Sequence, residues 1–169
     1  YALNQTLIDM YVEYADTRPE AGMSEVDWTL PEPTADEYTD DIMKEAKEFS
    51  DTAVVVIARI GGEGTDLPTD FGAKNADGTP LYTYVNNSTE YDDFTEGEHY
   101  LELSQTEENL MEMVCNHFEN VIVIYNSANA MELGWVNDYG QIGSVICCPG
   151  AGQTGFAALG KILNGEVNP

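Results

Sequence analysis

Basic residues are scarce in this chain. Lys and Arg together number 6 against 31 Asp and Glu, with 2 His, for a formal net charge of -25. A negative field of that size opposes nucleic acid and anionic membrane surfaces and disfavours phosphate-bearing ligands. Cysteine is scarce too, and its count of 3 is odd. Cys147 and Cys148 are adjacent at the end of an apolar run, and neighbours in a strand point to opposite faces, so buried free thiols are expected instead of a disulfide framework. His99 and His117 stand apart, with no Cys/His spacing of a zinc site, so no metal and no cofactor is expected. No apolar run approaches the ~20 residues that span a bilayer, which leaves no membrane partner to expect. No signal peptide opens the chain, and Tyr1 stands in place of an initiator Met, so the sequence reads as an excised piece of something longer. Cytoplasmic and secreted settings both stay open.

What is present is an ordinary globular composition. With 169 residues, 43% of them hydrophobic, the chain is long enough for one domain with a real core, and it is not a disordered acidic tail. Residues 1–33 read as a leader and linker: a helix at Gln5 to Ala15, then Arg18-Pro19 and the extended Trp28 to Pro33. Thr34-Ala-Asp-Glu37 reads as a capping box opening a helix to Phe49, with Ile42, Met43, Ala46 and Phe49 inward. Val54 to Ile57 is a short β-branched run suited to a central strand covered on both faces. Residues 64–99, rich in Gly, Asn, Asp, Thr and Tyr, form a long loop insertion without sustained period, in which Tyr82 to Val85 suggests a hairpin.

Periodicity resumes at a second capping box, Ser104-Gln-Thr-Glu107, whose helix carries Leu110, Met111, Val114 and Phe118. Then come the strand Val121 to Tyr125, a short helix around Met131 to Val136, the run Val145 to Cys148, and a helix from Gly152 to Leu163 packing Phe156, Leu159 and Leu163, with Gly165 as its C-cap. Strands alternating with helices at this spacing predict an α/β fold, a three-layer α/β/α sandwich with a mainly parallel sheet, over residues 34–169.

Parallel strands share one carboxyl edge, and open α/β sheets bind ligands there. That edge receives Gly61-Gly-Glu-Gly-Thr-Asp66, Asn126 and the Pro149-Gly150 turn. Glycines at 61, 62 and 64 permit close approach of a ligand, and Glu63 places a carboxyl group among them, as a general acid/base needs. The same pattern also describes a turn with a solvated Glu. Asp66 is suited either to a sugar hydroxyl or to bracing its loop, and Asn126 either to a ligand hydroxyl or to a turn.

From Thr34 to Pro169 the chain resembles the smaller α/β sandwich domain of glycoside hydrolase family 3, the β-glucosidase and β-xylosidase family. The matching pieces are Ala53 to Ile57, Gly62 to Asp66, Leu101 to Gln105, Val121 to Asn126, Met131 to Trp135, Pro149-Gly150 with Gln153 and Gly155, and Leu163 to Pro169. The resemblance implies that Glu63 is the acid/base of a retaining β-glycosidase acting on terminal β-linked glucose or xylose. It implies a carbohydrate substrate, and a partner (β/α)8 barrel domain of the same protein that holds the nucleophile. Nothing in these residues resembles that barrel, so the chain alone is expected to be inactive. The family pattern commonly has Arg after the Asp of this segment, where this chain has Leu67. Residues 68–98 look like an insertion, forming either part of a subsite wall or a contact with the partner domain.

Two other classes share the pattern. A flavodoxin-like electron-transfer or regulatory module would need a phosphate-cradling loop after the first strand, to which the acidic segment 61–66 is poorly suited. A noncatalytic carbohydrate-binding or protein-interaction domain would use the tyrosines, 10 in all, of which Tyr82, Tyr84 and Tyr91 lie in the insertion.

Overall fold

A computed structural model describes residues 2–18, 26–152 and 154–168. Tyr1, Pro19, Gln153 and Pro169, which figure in the sequence reading, lie outside them. The strands Thr52–Ala58 (β1), Asn120–Asn126 (β2) and Ile142–Cys148 (β3) form a parallel sheet in the order β1-β2-β3. Val55 pairs with Val123 and Val123 with Val145; Ile57 pairs with Tyr125. This face meets Met43 and Ala46 of α2 (Asp40–Phe49) and Leu110, Met111 and Val114 of α3 (Gln105–His117) in the main core. Each fully buried aliphatic side chain there contributes about 1.5–3 kcal/mol. The architecture is the α/β sandwich that the alternation of elements predicts.

The order corrects one expectation: among the described residues β1 is an edge strand, and β2 is central. An apolar run does not say which strand lies beside which. Alternate residues of β1 point to opposite faces, and only one face meets α2 and α3; Val54 and Val56 opposite are 48% and 51% exposed.

The helix ends show how tertiary contacts override local signals. Thr34 to Glu37 does not cap a long helix: Ala35–Glu37 is a single 3-10 turn, and the Thr34 side chain accepts no capping bond. Tyr38 leaves helical geometry (φ -88°, ψ 73°) while its hydroxyl donates to Glu32 Oε1 at 2.8 Å. The helix restarts at Asp40, where Thr39 Oγ1 accepts from Ile42 N, and Phe49 at its end is exposed. The second capping box forms as expected, with Glu107 N–H donating to Ser104 Oγ and Ser104 N–H to Glu107 Oε2. The first helix, Gln5–Asp16 (α1), closely follows its predicted span. It docks through Tyr11, whose hydroxyl also donates to Glu32 Oε1 at 2.7 Å.

Three further expectations change. The short helix near Met131 to Val136 is a 3-10 segment at Gly134–Asp138. The last helix, Phe156–Leu163 (α4), starts after Gly152, whose φ of +60° takes the chain out of helical geometry. None of its residues is buried, so Phe156, Leu159 and Leu163 do not pack into a core. Gly165 does adopt the left-handed conformation expected just beyond a helix end, at φ +71°. The thiols are free, but only Cys115 is buried; Cys147 is exposed and Cys148 half-buried.

The insertion packs with the leader in a second, aromatic core. Trp28, Leu30, Phe94 and Tyr100 are buried together, with Phe71, Tyr82 and Tyr84 against them. Residues 82–85 form no strand, and an isolated antiparallel bridge joins Lys74 to Pro80 instead. The Val85 N–H finds Thr29 Oγ1 of the leader at 2.7 Å, which satisfies a donor that a hairpin would have paired.

Candidate active site

The three strands end level with one another, Ala58 beside Asn126 and Asn126 beside Cys148. Their exit loops therefore leave from a common edge. Arg59, the first residue past β1, is almost wholly buried, and its backbone N–H donates to Asn126 O at 3.3 Å. Its guanidinium meets the Glu107 carboxylate through two contacts of 2.7 Å. The remaining donors go to backbone oxygens of Ala58, Tyr100 and Glu102, and the guanidinium carbon lies 5.2 Å from the Tyr100 ring centre. A buried charge is tolerated only when paired and hydrogen-bonded in this way. The network ties the end of β1 to the start of α3.

Beyond this anchor the chain makes a tight reversal. Gly62 N–H donates to Thr65 O and Thr65 N–H to Gly62 O, at 3.1 and 3.0 Å, leaving Glu63 and Gly64 at the tip. Gly64 has φ +73°, open to glycine at low cost. At Gly61 a Cβ would lie 2.6 Å from Asn129 Nδ2 and 2.8 Å from Leu67 Cδ2, so the β1 and β2 exit loops are in close contact there.

Glu63 is exposed at the tip of this reversal. Asp66, also exposed, follows on the same loop and borders a hollow with Trp28 and Tyr82. Asn126 is half-buried at the end of β2, in register with Ala58. The three predicted residues thus lie on the loops and strand end of one sheet edge, with Glu63 and Asp66 exposed. Arg59 was not among the residues singled out from sequence. Its signal was a lone basic residue directly after an apolar strand in a chain with few basic residues.

A solvent-facing carboxyl group on a braced turn can exchange a proton with a molecule placed over the edge, which is what acid/base catalysis requires of it.

Comparison with known proteins finds relatives of this chain in sequence and in fold. The model of the family described as Glycosyl hydrolase family 3 C-terminal domain matches residues 4–169. Beta-glucosidase A of Butyrivibrio fibrisolvens is 31% identical over 130 residues, which are 77% of this chain and 15% of that protein. A beta-glucosidase of Ruminococcus albus is 24% identical over 99% of this chain, again 15% of that protein. A solved structure of a beta-glucosidase from Paenibacillus barengoltzii superposes with a TM-score of 0.67 at 30% identity, covering 98% of this chain and 15% of that one. The chain thus spans about 15% of the length of these relatives. The likeness in sequence and in fold runs over nearly the whole chain, and the chain belongs to glycosyl hydrolase family 3, within its C-terminal domain.

Proposed function

We propose that this domain supplies the acid/base carboxyl group, Glu63, of a retaining β-glycosidase that removes terminal β-linked glucose or xylose. The nucleophile then belongs to a separate (β/α)8 barrel of the same protein. The observation that carries this reading is the placement of Glu63, exposed at the tip of a two-residue reversal on the edge where all three strands end in register. Relatives of which the matched segment is only 15% leave room for the other half of the site.

In the first step the protonated Glu63 gives its proton to the glycosidic oxygen as the bond to the anomeric carbon breaks, and the barrel's carboxylate bonds to that carbon. In the second step Glu63, now ionised, takes a proton from the water that attacks the glycosyl ester, which frees the sugar and restores the acid. The two carboxyl groups must lie roughly 5–5.5 Å apart for this sequence. A domain closing over Glu63 also removes water from around it, which raises an acid's pKa and keeps it protonated for the first step.

Leaving-group dependence in the complete protein tests the reading. Glu63→Ala should severely slow cleavage of glycosides with poor leaving groups and spare bond breaking in activated aryl glycosides. Retention of kcat/KM within a few-fold for every leaving group makes Glu63 a loop residue, with Asp70, Glu96 and Glu98 of the insertion next to examine.

A further inference from the structure

The reversal that carries Glu63 closes on itself through the two Gly62–Thr65 hydrogen bonds, but these bonds do not decide where it stands. Its place over the sheet edge is set at its root, Ile60 and Gly61, between the buried Arg59 and the turn. Arg59 holds one end of that root. The other is met by the β2 exit loop, where Asn129 lies against Gly61.

Gly61 is a glycine for want of space. It is not among the glycines with positive φ, unlike Gly64, so its backbone conformation does not call for one. A Cβ there would lie 2.6 Å from Asn129 Nδ2 and 3.4 Å from Asn129 Cγ. The Asn129 amide therefore fills the volume that a side chain at position 61 would take. The close approach that this glycine permits is made by a residue of the chain itself.

The amide stands on a fixed platform. Asn129 N–H donates to Ser127 Oγ at 3.0 Å, and the Tyr125 hydroxyl donates to Ala130 O at 3.3 Å. Glu132 N–H donates to Leu101 O at 2.9 Å, which ties the β2 exit loop to the segment leading into α3. Nδ2 itself is buried and has no acceptor among the described residues. What the amide gives Gly61 is therefore packing, and close packing transmits a displacement instead of absorbing it.

We propose that Asn129 is a positioning residue for the acid: by filling the space beside Gly61 it fixes the root of the reversal, and with it the place of Glu63 over the sheet edge. This rests on the reading of Glu63 as the acid. A proton donor must come within hydrogen-bond reach of the glycosidic oxygen, so a root that shifts takes the carboxyl group out of reach without altering it.

The test uses the complete protein and two substrates, an alkyl β-glucoside whose leaving oxygen needs a proton and a dinitrophenyl β-glucoside whose leaving oxygen does not. Asn129→Ala should lower the alkyl-to-dinitrophenyl ratio of kcat/KM by roughly tenfold or more. Asn129→Leu, which keeps the bulk without the donor, should hold it within about threefold. Gly61→Ala, which drives the amide aside and leaves no void, should lower the ratio as well. Adding Asn129→Ala to Gly61→Ala gives the new methyl the vacated space and should return the ratio to within about threefold of the native value. Adding Leu67→Ala instead should not, although Leu67 Cδ2 is 2.8 Å from the same Cβ position. Should Asn129→Ala fail to fold, Gly61→Ala and Asn129→Leu read the same contact. A ratio unmoved by either single alanine, an equal loss on both substrates, a loss in Asn129→Leu as large as in Asn129→Ala, or rescue by Leu67→Ala overturns the proposal. Glu63→Ala reports separately on the acid. A ratio unmoved there sinks that reading and this proposal with it, whereas a ratio that collapses there and holds in Asn129→Ala sinks only the positioning role.

Discussion

Arg59 and Glu107 face each other across 48 residues of sequence in a two-pronged ion pair, each prong 2.7 Å long, with the arginine side chain fully buried. The same glutamate closes the Ser104 capping box, so one carboxylate holds the end of β1 and starts α3.

Removing one partner of this pair strands a buried charge. Arg59→Met and Glu107→Gln should each cost about 3–5 kcal/mol in chemical denaturation. Arg59→Lys should recover little, because an ammonium cannot reproduce the fork. The double change Arg59→Met with Glu107→Met should cost less than the sum of the single changes. Additive losses in the cycle are the result that contradicts a coupled pair.

Gly64 supports the turn that presents Glu63. Alanine at φ +73° should lower stability by about 1–2 kcal/mol. On the proposed reading of Glu63 as the acid and of a separate sugar-binding barrel, it should reduce kcat of the complete protein on unactivated glycosides more than it changes KM, because only the acid is displaced. An equal change in both constants points to a binding defect.

Glu32 links stability to pH. Burial pushes its carboxyl up to about 7 from 4.5, against the lowering effect of the hydrogen bonds from Tyr11 and Tyr38, while the nearby Glu107 adds to the rise. Burial is also the main cause that raises both tyrosines. Because the folded pKa lies above the unfolded one, the folded state keeps a proton that the unfolded state releases. This stabilisation is complete below pH 4.5 and is lost as pH rises to about 7. Its size is on the order of 2 kcal/mol at most, after screening by solvent. Thermal unfolding across this pH window should show this slope in the native chain, and Glu32→Gln should flatten it. An unchanged slope in that variant assigns the pH dependence to the general relief of negative charge.

The chain by itself should not hydrolyse aryl β-glucoside or β-xyloside at an enzymatic rate. In the complete protein, azide should partly restore turnover of activated substrates by Glu63→Ala, since a small anion attacks the glycosyl ester without a general base. The variant's pH profile should lose the alkaline limb that reports ionisation of the acid. Robust turnover by the isolated chain that survives Glu63→Gln and repeated purification contradicts the division of the site between two domains.

Elements with strong local reasons were legible in the sequence. The runs 54–57 and 121–125 are β-branched and bounded by turn residues, and the Ser104 box makes both of its reciprocal bonds between Ser104 and Glu107, so short-range sterics and hydrogen bonding suffice to form them. Glu63 was legible as an exposed carboxyl group because its glycines leave few other uses for the segment. Contacts between distant segments were decided only by the tertiary structure. Thr34 failed as a cap because Tyr38 is drawn to Glu32, β1 became an edge strand because the sheet places β2 between it and β3, and Arg59 found Glu107 across 48 residues. Local propensity is worth tenths of a kcal/mol to about 1 per residue, and a buried ion pair or a packed aromatic ring outweighs it wherever the two disagree.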